Sequence, residues 1–430
     1  MTSRGKETSA SSRSARSKTQ SAQSKLRNRF AWIGPGIISG AADNDPTTVA
    51  TLAVVGSTTV YALSWLVILV IPMLIVVQSI SAAVGTVCGK GLEDIVRQHY
   101  GRGWALAVMA AVLAVTVLTL GADISGGAAA LSLLTGVSYQ WFVLPFSLAV
   151  AGLLVYGKYD AISGILRYVA LVFFAYAVAA FMSHPDWMQI LRATFTPQLS
   201  TGKAYVAGAL ALLGTTLTSY AYVWETIELA HDRPPIRRLG LVQVDAALGM
   251  FVAGISFWFI LVATGATLGV HHKDVQTAGD AAAALVPFAG RYAALLFGVG
   301  LLASALIAVP VLAGTSAYVV AEMFGWRASL DAKFARARPF YGALLLSLGV
   351  STGIAYGWHN PIQLLFYSGI AGGLGTPLTL IFVMLIARSR TIMHTHAIGG
   401  ALAAGGWVVT AIVVAASVLY LYQTATGSGG

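Results

Sequence analysis

Charged residues are scarce in this chain, and their scarcity excludes an ordinary soluble domain. Lysine, arginine, aspartate and glutamate make up 10% of the 430 residues, whereas soluble domains contain about 25%. Hydrophobic residues make up 57%, and the mean hydropathy is +0.76. They form long runs, such as 104–120 and 407–421, and not the short alternating segments of a β-barrel. Because a helix needs about 20 apolar residues to cross a bilayer, the sequence predicts an all-α polytopic membrane protein.

Cysteine pairs and enzyme motifs are also missing. The single cysteine, Cys88, cannot form a disulfide within the chain. No His-Glu-x-x-His sequence occurs, which excludes the usual zinc-protease motif. The glycine-rich stretch 369–375 follows no predicted strand, so it does not indicate a phosphate loop. We therefore predict that the chain is not an enzyme, has no resident cofactor and has no nucleic-acid partner, and we interpret its net charge of +10 through membrane topology.

The apolar segments predict about eleven transmembrane helices in a single domain of residues 30–425, preceded by a disordered basic tail, 1–29. Loops between the spans are short, so no separate soluble domain is expected. The predicted spans lie near 32–57, 60–86, 104–134, 139–157, 161–183, 204–230, 240–270, 291–324, 340–358, 361–387 and 397–422.

The distribution of basic residues predicts the orientation of these spans. If the N-terminus is cytoplasmic, 22 of the 26 lysines and arginines fall in inside segments and 4 in outside segments. Cytoplasmic loops are enriched in these residues. We therefore predict a multi-pass protein of the cytoplasmic membrane, in contact with lipid, with its N-terminus inside and its C-terminus outside.

The first span contains an interrupted, acidic segment. Asp43 and Asp45 lie there beside Pro46, Thr47 and Thr48. Proline lacks an N–H and disfavours helical dihedrals in the residue before it, so the helix should break at this place. Acidic residues in a span are costly and are usually functional. The freed carbonyls and the side-chain oxygens together indicate a cation site near the membrane midplane; the alternative is a simple proline kink.

The sixth span carries a second candidate break. In the seven residues 214–220, five side chains carry hydroxyls, including Thr215, Thr218 and Tyr220. These hydroxyls could instead bond to their own helix. However, interrupted segments at matching places in two halves of a chain indicate a transport site. Spans one and six would begin two five-span repeats, about 30–183 and 204–387, followed by an extra helix at about 397–422.

Several short motifs, taken in order, resemble the NRAMP family of divalent metal transporters. They extend over most of spans one to ten, and their order and spacing are more specific than any one of them. The motifs are Gly34-Pro35-Gly36, Asp45-Pro46, Gly89-Lys90-Gly91-Leu92, His99-Tyr100, Asp123-Ile124-Ser125-Gly126, Ala313-Gly314-Thr315 and Pro377.

The resemblance implies a LeuT-type fold of two inverted five-helix repeats plus an eleventh helix, and it implies a set of metal ligands. In the family, a metal lies between the broken first and sixth helices. Asp45 matches the family's aspartate, Thr48 stands at its asparagine, and Thr218 stands at its methionine. The family's backbone carbonyl ligand would be that of Thr215.

The same resemblance implies a possible proton pathway. Tyr220 stands at a family histidine, Glu225 lies near a second one, and Asp123 lies near a glutamate of the third helix. These groups, with Asp43, are candidates for proton movement or a secondary site. Replacement of the histidine by Tyr220 leaves proton coupling open.

The departures from the family pattern alter the expected cargo. A thioether ligand favours softer metals, and this chain has threonine at that position. An all-oxygen site suits Mg²⁺ and tolerates Mn²⁺, so we expect secondary-active transport of one of these ions by alternating access. The alternative is a LeuT-fold symporter of an amino acid or an organic cation, although acidic residues at the break disfavour an anionic substrate. The sequence leaves the oligomeric state open.

Overall fold

A computed structural model describes residues 44–156, 175–326, 330 and 334–427. The predicted basic tail, Asp43, the start of the first span and most of the predicted fifth span lie outside the described residues. In the part that is described, the secondary structure is helical throughout, with no strand. The prediction of an all-α membrane fold is confirmed.

Thirteen main helices account for most of the described residues, and shorter helical turns connect some of them. The main helices are α1 Pro46–Thr59, α2 Ser64–Cys88, α3 Leu92–His99, α4 Arg102–Thr135, α5 Gln140–Tyr156, α6 Trp187–Phe195, α7 Lys203–Thr216, α8 Ser219–Asp232, α9 Leu239–Thr267, α10 Ala293–Phe324, α11 Arg338–Gly357, α12 Pro361–Arg388 and α13 Gly400–Thr426. Residues 175–182 are also helical.

Eight helices or helix pairs of the described residues are long and apolar enough to cross a bilayer. They correspond to α2, α4, α7 with α8, α9, α10, α11, α12 and α13. The apolar helix α5 is shorter, and α1 forms the described part of the first predicted span. The helices lie where the hydropathy of the sequence places the spans, because the requirement for about 20 apolar residues leaves few other positions.

The core of the bundle is formed by α1, α4, α7, α10 and α12. Glycine lets backbones approach closely in lipid, where small residues dominate helix contacts. A side chain at Gly214 of α7 would overlap the backbone at Gly369 and Gly373 of α12. A side chain at Gly126 of α4 would meet Pro46, at 2.8 Å. These contacts hold the end of α7 against α12 and the beginning of α1 against α4.

Candidate cation site

The start of α1 positions a buried aspartate. Asp45 has an extended backbone (φ −70°, ψ 167°) and caps the helix that begins at Pro46. Its Oδ1 accepts a hydrogen bond from the Thr48 backbone N–H at 2.6 Å. Proline at the first helical position needs no hydrogen-bond partner for its nitrogen, and the aspartate satisfies one of the free N–H groups that follow. The carboxylate is thus fixed at a helix terminus in the interior, where it is 1% exposed.

The sixth span is broken, as the sequence predicts. Helix α7 ends at Thr216, and α8 begins at Ser219. Between them, Leu217 and Thr218 leave the helical conformation, and Thr218 is extended (φ −65°, ψ 142°). Carbonyls at the end of a helix have no partner within that helix, so the break presents both backbone and side-chain oxygens to the interior.

The two breaks meet through direct hydrogen bonds. The Tyr220 hydroxyl donates to Asp45 Oδ2 at 2.5 Å. The Thr48 hydroxyl lies 2.9 Å from Thr215 Oγ1 and donates to the Thr215 carbonyl at 3.4 Å. The structure therefore brings together the carboxylate of the first break and three oxygen-bearing residues that were predicted to lie beside it.

Thr218, at the position of the family's methionine, is also buried in the break. Its side chain is 2% exposed, and its hydroxyl has no hydrogen-bond partner among the described residues. An oxygen atom without a donor or acceptor partner in the interior is costly. This hydroxyl is consequently available to a ligand held between the two breaks.

Asp123 of α4 lies behind the first break. Its Oδ1 accepts from the Thr47 backbone N–H at 3.1 Å and from the Thr47 hydroxyl at 2.7 Å. Asp123 is fully buried, and no described group donates to its Oδ2. Its charge is also close enough to interact with that of Asp45. The structure thus places a second carboxyl group beside the candidate site, on the far side of Thr47.

Glu225 belongs to a different group of side chains. It is buried at 2% exposure in α8, five residues after Tyr220, which is about 7.5 Å along a helix. Its charge acts on Glu228 of the same helix. Asp43, the remaining predicted residue, lies outside the described residues.

The residue pattern did not identify two serines that support the first break. Ser304 of α10 donates a hydrogen bond to the Asn44 carbonyl. Ser368 of α12 lies 3.4 Å from the Thr47 hydroxyl, with either oxygen able to donate. The available signal was a single hydroxyl in each of two otherwise apolar, small-residue stretches. That signal is weak, because such hydroxyls usually bond to their own helix.

The side chains at the two breaks offer oxygen ligands and no sulfur. Segments 44–48 and 214–220 contain neither methionine nor cysteine. One carboxylate, several hydroxyls and free carbonyls suit a hard cation. The site residues from Asp45 to Tyr220 are each at most 3% exposed, so an ion held among them would be largely dehydrated or would keep only enclosed waters.

Comparison with known proteins assigns the family. A sequence model described as "Natural resistance-associated macrophage protein-like" (Nramp) matches residues 36–423. The chain belongs to the Nramp family. Members of this family are transporters, so the prediction that the chain is not an enzyme is confirmed.

Individual relatives agree with this assignment. The chain is 26% identical over 420 residues to the divalent metal cation transporter MntH of Deinococcus radiodurans, covering 94% of this chain and 92% of that protein. It is also similar in structure to the Eremococcus coleocola manganese transporter, solved in complex with an aromatic bis-isothiourea substituted compound. That match has a TM-score of 0.70 at 17% identity and covers 93% and 87% of the two chains.

The fold extends beyond the family. MhsT, solved in complex with L-phenylalanine, matches with a TM-score of 0.63 at 14% identity, covering 92% of this chain and 97% of that chain. At this identity the similarity concerns the fold alone. With the Nramp match, it confirms the predicted LeuT-type architecture of this Nramp protein.

Proposed function

We propose that this Nramp protein transports a divalent cation, Mg²⁺ or Mn²⁺, across the cytoplasmic membrane by alternating access. The observation that carries the proposal is the buried carboxylate of Asp45, held between two helix breaks whose other groups are all oxygens. The names of two relatives, a divalent metal cation transporter and a manganese transporter, support the cargo class.

The preference for a hard cation follows from the atoms at the second break. Thr218 places a hydroxyl where the family resemblance implies a thioether. Softer metals such as Cd²⁺ gain from sulfur, whereas Mg²⁺ and Mn²⁺ bind carboxylate, carbonyl and water oxygens. Asp45, Thr48, the Thr215 carbonyl and Thr218 are the proposed ligands.

Transport requires the site to open alternately to each side. The two breaks lie between α1, α7 and α8, and short helix halves are the usual moving parts around a central site in this class of fold. The proposed orientation has the N-terminus in the cytoplasm and the C-terminus outside, as the distribution of basic residues indicates. The two repeats, about 30–183 and 204–387, would move relative to each other.

We further propose that Asp123 takes up a proton during the cycle. Its carboxyl group is buried, receives no donor at Oδ2 from the described residues and repels the charge of Asp45. When a divalent cation neutralises Asp45, that repulsion is relieved. Asp123 can then release its proton, which would couple metal and proton movement. Tyr220 and Glu225 are the further candidates on this route.

Uptake into proteoliposomes tests the cargo. We expect Mg²⁺ and Mn²⁺ to enter, Cd²⁺ not to be preferred, and Asp45→Ala to reduce the initial rate by about a hundredfold, because a buried cation loses its only proposed charged ligand. The matched control is Asp274→Asn, at an exposed position, which should transport like the parent. If no divalent ion enters, or if Asp45→Ala transports as well as the parent, the proposal is wrong and an organic substrate becomes the better reading.

The same vesicles test the proton step. An imposed pH gradient should accelerate metal uptake by the parent and have little effect on Asp123→Asn. An equal acceleration of both proteins would exclude Asp123 as the proton carrier.

A further inference from the structure

A second pair of carboxyl groups lies away from the candidate cation site, where α3 meets the end of α10. Glu93 is in the first turn of α3 and is fully buried, at 0% exposure. Glu322 is in the last turn of α10. The two carboxyl groups are close enough to interact with each other. Carboxylates are almost never buried without a partner, so the approach of these two carboxyl groups to each other requires an explanation.

Glu322 acts as the missing cap of α3. The N-cap residue, Gly91, offers no side-chain hydrogen bond to the helix. The Glu322 carboxylate accepts one from the Asp94 backbone N–H instead, and a side chain at Gly91 would overlap this carboxylate. A negative charge is stabilised at a helix N-terminus, so Glu322 has a structural reason to carry the charge.

Glu93 has no such partner. Within the described residues, no other group donates a hydrogen bond to either of its carboxyl oxygens. Two ionised carboxylates in contact in the interior would repel each other strongly, and the usual solution is that one of them keeps a proton. Burial raises the pKa of Glu93 to about 7, although its own backbone N–H and the hydrogen bond with Glu322 both lower it.

Among the residues that the structure describes, no positive charge acts on Glu93 or on Glu322. On α3 itself, Arg97 is paired with Asp94, at 2.5 Å between Nη2 and Oδ1, and Asp94 adds to the negative potential at Glu322. From α8, Tyr222 lies close enough to interact with the Glu93 charge. Among the described residues, α4 and α12, which also pack against α3, contribute no ionisable group that acts on either carboxyl.

We propose that Glu93 and Glu322 form a second proton-binding site, in which one proton shared between the two carboxyl groups holds α3 against the end of α10. Loss of the proton would leave two adjacent anions, of which Glu93 is fully buried, and would loosen α3 from α10. The site is independent of the proposed cation ligands, and it lies at the end of the bundle where α8, the second half of the broken span, also reaches α3.

Infrared difference spectra of the full-length protein, with pH changed from about 6 to about 9, test whether the pair holds a proton. We expect a protonated-carboxyl C=O band that is lost at the higher pH. The band should be weaker, by the contribution of one carboxyl group, in Glu93→Gln and in Glu322→Gln, in which an amide N–H donor replaces the shared proton. It should remain in the control Asp274→Asn, at an exposed position away from the pair. A band that is identical in the parent and in both glutamine variants would overturn the proposal. Either variant suffices if the other does not fold.

The native thiol Cys88, at the end of α2 and half-buried, reports whether α3 loosens. Its maleimide labelling rate in the parent, divided by the rate in Glu93→Gln at the same pH, cancels the ionisation of the thiol itself. We expect this ratio to rise severalfold between about pH 6 and about pH 9. A ratio that stays constant would contradict the fastening role.

Thermal unfolding gives the sign of the linkage. A carboxyl whose pKa is raised on folding stabilises the folded state at low pH, and this stability is lost as the pH rises from the unfolded-state value towards the folded-state value. The apparent Tm of the parent relative to Glu93→Gln should therefore fall between about pH 5 and about pH 7 and then level off. A rise across this range would contradict a shared proton.

Discussion

The two groups of interacting carboxyls in this protein differ in what surrounds them. Asp45 accepts hydrogen bonds from a backbone N–H and from the Tyr220 hydroxyl, and Asp123 accepts two from Thr47. Glu93 receives no donor from another described residue and faces Glu322. Asp45 is therefore suited to carry a charge that a cation balances, whereas Glu93 is suited to hold a proton. The hydrogen bonds donated to each carboxyl group, and not burial alone, therefore distinguish Asp45 from Glu93.

The largest effect on transport is expected when one of the aspartates loses a hydrogen-bond donor. Thr47→Val deletes the hydroxyl that donates to Asp123 at 2.7 Å. A hydrogen bond to a charged group contributes about 1.5–3 kcal/mol, so we expect cation uptake to fall about tenfold or more. The matched control is Thr51→Val on the same helix, because the buried Thr51 hydroxyl has no hydrogen-bond partner in the part of the chain that the structure describes. Equal rates for the two variants would show that the donor to Asp123 is unimportant.

Replacing the Thr218 hydroxyl by a thioether tests whether this residue faces the ion bound beside Asp45. Thr218→Met introduces a thioether at the second break, and we expect the Cd²⁺ to Mg²⁺ uptake ratio to rise about tenfold, since softer ions gain from sulfur. Competition of unlabelled Cd²⁺ and of unlabelled Mg²⁺ against Mn²⁺ uptake measures this ratio. Thr58→Met, at an exposed position of α1, adds the same side chain away from the site. A similar ratio in both variants would mean that residue 218 does not face the ion.

The smallest expected effect concerns the glutamate group. Gly91→Ala places a methyl group against the Glu322 carboxylate and displaces it from the start of α3. Loss of a helix cap costs about 1 kcal/mol, so the apparent Tm should fall and amide exchange in α3 should accelerate. Gly103→Ala, where an added side chain meets no described neighbour, should not destabilise the protein. The interpretation of Glu322 as a cap fails if the two variants behave alike.

The helices and the breaks were predictable because they depend on local chemistry. Hydropathy places the spans, and Pro46 fixes the start of α1 whatever surrounds it. The hydroxyl-rich segment ending at Tyr220 likewise marks the second break. The partners of these segments depend on packing between distant parts of the chain, so Ser304 and Ser368 gave no distinctive signal.

The pair of glutamates was not predictable for the same reason. Glu93 lies in a short helix with charged residues on either side, a pattern typical of an exposed surface. Its complete burial depends on where α10 ends, and that position is set by the whole bundle. Glu322 could be identified as an acidic residue near a span end, but its partner could not.

The glycine contact between α7 and α12 constrains how the protein can move. With no side chain between Gly214 and the backbone at Gly369 and Gly373, neither helix can slide past the other without separating two closely fitted backbones. We expect α7 and α12 to move together as one rigid body during transport. The hinge would then be the non-helical pair Leu217–Thr218. Rotation of α8 about this hinge would open one side of the site, while movement of α7 with α12 would close the other.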